Sequence, residues 1–131
     1  MNEKPRIDAA LVEEFVGKAH GDIARVRELL AQEPALANAS WDWGAGDWET
    51  GLGAAAHMGR QDIAELLLSR GARIDLFAAA MLGRLEIVKA ILTAHPEMAA
   101  AAGPHGIPLL RHAIAGGDKA AAVAEYLQTL A

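Results

Sequence analysis

The stretch Thr50–Asp75, TGLGAAAHMGRQDIAELLLSRGARID, decides the fold. Gly51 to Met58 is a run of small and apolar residues, suited to a short helix packed closely against neighbours. Gly59 turns the chain. Asp62 is placed to cap a second helix whose apolar positions Ile63, Leu66 and Leu67 recur at helical spacing. Gly71 sits where a left-handed residue commonly stops a helix. The unit is helix, glycine turn, helix, glycine stop.

Working outward, the plan recurs with edits. Upstream, Met1–Ile7 is polar and reads as a loose lead-in. Asp8 can cap a helix with the stripe Leu11, Val12, Phe15, Val16 and Ala19. Gly21 breaks that helix, Asp22 can cap the next (Ile23, Val26, Leu29, Leu30), and Pro34 ends it. Downstream, Asp75 can cap Leu76–Leu82, Gly83 turns the chain, and Leu85–Ala94 carries the stripe Ile87, Val88, Ile91 and Leu92 until Pro96. An alanine-rich connection, Glu97–Gly106, follows. Pro108 then opens a helix to about Ala115, Gly116 and Gly117 turn the chain, and Asp118 can cap a last helix with the apolar face Val123, Tyr126, Leu127 and Leu130.

The turn glycines Gly21, Gly59, Gly83 and Gly117 are separated by 38, 24 and 34 residues, a mean of 32. That is close to the ankyrin period of about 33. GRQDIAELLLSRGARID (Gly59–Asp75) resembles the second helix and glycine exit of an ankyrin repeat, and GRLEIVKAIL (Gly83–Leu92) resembles that helix again. Thr50-Gly51-Leu52-Gly53 and Ile107-Pro108-Leu109-Leu110 stand where the family has TPLH. The resemblance spans roughly Leu11 to Leu130. It implies one all-α domain over 1–131, an ankyrin-like solenoid of about four helix-pair repeats (approximately 8–38, 48–74, 75–97 and 106–131), with 39–49 as a Trp-rich finger loop.

Two departures from the family matter. Its inner-helix histidine is replaced by Gly53 and Leu110, so apolar packing is expected in place of its polar network. The link from Gly71 to Leu76 is too short for the projecting β-hairpin finger, so the third repeat is expected to lack it. Two fingers remain: Trp41–Trp48, longer than usual, and one around Met98–Ile107.

Composition narrows the function. The chain has 131 residues, 53% of them hydrophobic with alanine prominent, and only six are aromatic. Strands favour β-branched and aromatic residues, so closely packed helices fit better than a sandwich or barrel. With no cysteine there are no disulfides or thiolate metal sites. Seventeen acidic and twelve basic residues give a net charge of −5 without a basic run, which argues against nucleic acid. Neither a signal peptide nor a span long enough for a membrane is evident, and a cytoplasmic protein is expected.

Chemistry is sparse at this level. The only serines, Ser40 and Ser69, lie outside any nucleophile motif. Gly51–Ala56 matches GxGxxA, but no buried strand leads into it, so its glycines read as close-packing positions rather than a dinucleotide site. The five histidines show no HxxxH or HExxH spacing. They read as isolated structural or solvent-facing groups, and neither a metal nor a cofactor is expected. No group pairs with an orienting partner, so an enzyme is not expected.

The segment Asn38–Glu49, NASWDWGAGDWE, holds all three tryptophans, three acids and no base. It reads as a long ordered loop or hairpin. Trp41, Trp43 and Trp48 would give a partner large contact area, with Asp42, Asp47 and Glu49 adding selectivity for a basic surface. Alternatively the rings fold back over the repeats, Trp48 being the expected plug. In the family, the two residues before the turn glycine face the concave groove. Here those are His57-Met58 and Met81-Leu82, contacts for a partner or core filler. The expected function is non-enzymatic binding of another protein by a monomer. A small-molecule or glycan binder using the Trp/Asp loop, and a self-assembling structural protein with the exposed end of the array as its interface, are the alternatives, and a homodimer is the alternative oligomeric state.

Overall fold

The computed structural model describes residues 4–130; of the expected lead-in, residues 1–3 lie outside them and 4–8 precede the first helix without regular structure. Eight α-helices follow in four pairs: α1 (Ala9–Lys18) with α2 (Ile23–Gln32), α3 (Gly51–His57) with α4 (Gln61–Ser69), α5 (Leu76–Met81) with α6 (Leu85–Ala94), and α7 (Leu109–Ala115) with α8 (Ala121–Thr129). This is the expected ankyrin-type helical solenoid. A two-stranded antiparallel hairpin, β1 (Ser40–Asp42) and β2 (Trp48–Thr50), stands between the first two pairs.

Local chemistry places the helix ends. Side chains of Asp8, Asp22, Thr50 and Asp75 accept backbone N–H groups of the first turns of α1, α2, α3 and α5. Two expected caps fall elsewhere. Asp62 lies inside the first turn of α4, where it accepts from the Ile63 N–H and holds Arg60. Asp118 sits in a 3-10 turn, Gly117–Ala120, and α8 begins beyond it without a side-chain cap.

The exits of α3 and α5 follow one scheme. After α3 the Arg60 N–H reaches the Ala55 carbonyl and the Gly59 N–H reaches Ala56; after α5 Arg84 and Gly83 reach Ala79 and Ala80 in the same way. This paired bonding needs a left-handed residue, supplied by Gly59 at φ +68° and Gly83 at φ +74°. Both also have backbone where a Cβ would be: the Ala115 oxygen 2.4 Å away at Gly59, the Lys119 oxygen 2.1 Å away at Gly83. Gly21 does not share the left-handed conformation, which fits the weaker first repeat.

The core is continuous along the stack. Val12, Phe15, Val16, Val26, Leu29, Leu52, Ile63 and Leu67 form one buried cluster, and Leu76, Val88, Leu92, Leu109, Ala113 and Val123 form a second. They meet at α5, whose residues Ala78 and Met81 belong to the first and Leu76, Ala79 and Ala80 to the second. A helix enclosed on both sides must be apolar all round, and LFAAAM is. Close approach also explains Gly51, where a Cβ would stand 2.7 Å from the Phe15 ring. Leu130, expected in the last apolar face, is 46% exposed.

Between α4 and α5 only residues 70–75 connect the pairs, and no hairpin forms. Asn38 holds this link, donating to the Gly71 carbonyl and accepting from the Arg73 N–H, both at 2.9 Å. After α6 a 3-10 turn, Pro96–Ala100, leads to a bridge between Ala102 and Pro108, a minimal second finger.

Candidate functional site

The Trp hairpin is ordered by its own acids. Asp42 accepts from the amides of Gly44 and Gly46, closing the tip, where Gly44, Ala45 and Gly46 all have positive φ. The register pairs Trp41 with Glu49 and Asp42 with Trp48. Paired residues share a face, so one face carries Trp41 and Glu49 inward and the other carries Asp42 and Trp48 outward. Trp41 packs against the core, whereas Trp48 is 59% exposed. The plug is therefore Trp41, not Trp48. Trp43, at the tip, is partly exposed and turns its indole N–H inward.

The inward face is the notable one. Glu49 is 1% exposed. Its Oε1 accepts the Trp43 Nε1–H at 2.9 Å and lies 3.3 Å from His20 Nε2. Its Oε2 lies 2.9 Å from His57 Nε2 and 3.2 Å from His105 Nε2. Three histidines thus converge on one buried carboxylate, from the turn after α1, the end of α3 and the second finger. The expectation of isolated histidines fails because the stack, not the chain, brings them together. The expected loss of a polar network fails as well: one exists, built from other residues than the family's.

The rings are themselves held. His20 Nδ1 donates to the carbonyls of Val16 and Gly17, both at 3.0 Å. Asp47 accepts the His105 backbone N–H through Oδ1 and its ring Nδ1–H through Oδ2, both at 2.7 Å. His105 sits at φ +62°, so its backbone is strained into this clasp. Asp47, expected to meet a partner, instead ties the first finger to the second.

Electrostatics follow the geometry. Burial pushes the Glu49 carboxyl up, but His20, His57 and the Trp43 N–H outweigh it and hold it well below the usual carboxylate range. The Glu49 carboxylate in turn raises His20 against the cost of its burial. The His105 backbone N–H, and then its ring, lowers Asp47. A buried carboxylate without such partners would cost several kcal/mol, so these contacts are a condition of folding the finger this way.

The remaining sequence-predicted residues divide. Met81 and Leu82 are buried, at 0% and 2% exposure, and belong to the core; neither reaches the surface, because α3, α7 and the 3-10 turn Gly117–Ala120 pack around α5. Met58 is exposed beside His57. Two shallow cavities flank the histidine cluster. One, of about 430 Å³, lies between Trp43 and Glu13, Glu14 and Gly17 of α1. The other, of about 410 Å³, lies between His57, Ile107, Arg111 and Ile114. Ile114 is 54% exposed and was missed from sequence. His20 and His105 were missed too, although His20 and His57 stand one and two residues before their turn glycines, at the same end of neighbouring inner helices.

Comparison with known proteins adds one match. The family model described as ankyrin repeat matches residues 47–77. No curated protein and no solved structure matches the chain.

Proposed function

Because this chain belongs to the ankyrin repeat family, whose repeats are generally protein–protein interaction modules and typically non-enzymatic, we propose that it is one domain that binds another protein across its finger and inner-helix face. The observation that carries this is Trp48, a 59% exposed indole on a hairpin pinned from behind by Glu49 and Asp47. A rigid, exposed aromatic loses little freedom on binding and serves well as an anchor. Trp43, Met58 and Ile114 are further exposed apolar side chains.

Asp42 and Asp47 are engaged with the hairpin amides and His105. Their oxygens are therefore less free for sugar hydroxyls, which disfavours the glycan reading. A pull-down comparing wild type with Trp48→Ala tests the proposal. The variant is expected to fold normally and to weaken partner capture by about 30-fold or more, as for an interface hot spot. Equal capture by both proteins overturns this choice of surface.

A further inference from the structure

We propose that His20, His57, His105 and Glu49 form a site for one divalent transition-metal ion of the zinc class, clasping the two fingers to the inner helices. Their ligand atoms all lie within 4.8 Å of one another. Bonds of about 2.0–2.1 Å put tetrahedral donors about 3.3–3.4 Å apart. The approaches of His57 and His105 Nε2 to Glu49 Oε2, at 2.9 and 3.2 Å, lie just inside that spacing, and His20 Nε2 stands 3.3 Å from the same carboxylate at Oε1.

Proton placement points to the same answer. Carbonyl and carboxylate oxygens only accept, so the His20 and His105 rings each carry a proton on Nδ1, and the nitrogen each turns to Glu49 is Nε2, a lone-pair donor whenever it is unprotonated. Both lone pairs face the Glu49 carboxylate. Lone pairs and carboxylate repel unless positive charge lies between them. Glu49 Oε2 and His57 Nε2 are moreover buried without an aligned hydrogen bond, despite their 2.9 Å separation. Protons alone would require several imidazolium rings with centroids only 5.0 to 6.3 Å apart. A single cation satisfies all four donors at once.

The outer contacts are those of a prepared site. Ring N–H groups held by a carbonyl or carboxylate orient metal-binding imidazoles, and ligating carboxylates are themselves hydrogen-bonded. His20 has the Val16 and Gly17 carbonyls, His105 has Asp47, and Glu49 has Trp43 on Oε1, leaving Oε2 for the metal. Imidazole and carboxylate donors suit zinc, and cobalt can report on the same geometry.

The untagged full chain is titrated with ZnCl₂ by calorimetry and with CoCl₂ by visible absorption, circular dichroism confirming the fold of each variant. One ion per chain, a tetrahedral cobalt spectrum displaced by zinc, and a melting temperature raised by several °C support the site. His57→Ala and His105→Gln should each weaken binding at least 100-fold, and Trp43→Phe about 10–100-fold. His105→Gln keeps the test sound if buried variants fail to fold, since His105 lies in a partly exposed turn. Absence of wild-type binding overturns the proposal. So does binding that survives His105→Gln but is lost in His95→Ala, an exposed histidine outside the cluster. None of these readouts involves a protein partner, so the two proposals fail separately.

Discussion

Gly59 and Gly117 share a left-handed backbone but not a setting. Gly117, at φ +64°, has open space where a Cβ would project, whereas at Gly59 the Ala115 carbonyl oxygen stands there. Gly117→Ala should therefore cost about 1–2 kcal/mol of conformational strain. Gly59→Ala should add a further 1–3 kcal/mol of overpacking, as urea unfolding will measure. His112 offers a pH test at the same scale. It is fully buried on α7, donates from Nδ1 to the Pro108 carbonyl at 2.9 Å, and lies against the Phe77 ring. Burial pushes its pKa below the ordinary value of about 6.5. The unfolded chain therefore takes up a proton that the native state resists. The contribution of His112 is complete above about pH 6.5 and drains as pH falls below it. With chelator present, the stability of wild type relative to His112→Leu should fall from pH 7.5 to pH 5.5; a constant difference would refute the assignment.

Among elements, the outer helices carry a rhyme that the glycine ruler passes over. α2 ends at Gln32 and α6 at Ala94, and each is followed two residues later by a proline and a five-residue 3-10 turn. Both of these exits lead to a finger; α4, which ends at Ser69 and turns at the left-handed Gly71, leads to none. Proline blocks helix continuation and directs the chain outward, whereas a left-handed glycine turns it straight back. Leu67, fully buried on α4, tests how elements depend on one another. Leu67→Ala should lower stability by about 2–5 kcal/mol and leave part of the array unfolded, since stacked repeats stabilise their neighbours. An unchanged melt followed by circular dichroism would contradict this packing.

For the molecule as a whole, what could be read from sequence was whatever depends on neighbours along the chain. The stripes, the caps at Asp8, Asp22 and Asp75, the short Gly71–Leu76 link and the helical solenoid all came from spacings of a few residues. The facing of the tryptophans did not, because three-residue strands give too little alternation to set a register. The histidine cluster did not either: its four donors, at positions 20, 49, 57 and 105, meet only when three repeats stack. The absent finger permits that meeting. Asp47 and His105, which lie 58 residues apart, are hydrogen-bonded directly, and Pro104 lies 3.5 Å from where a Gly53 Cβ would be. A hairpin grown from residues 71–75 would stand between those two fingers. The length of that link is thus a gatekeeper for a cluster to which it contributes no atom. Loop grafting there, ordinarily the safest edit to a repeat protein, would in this chain dismantle the polar centre while leaving every helix intact.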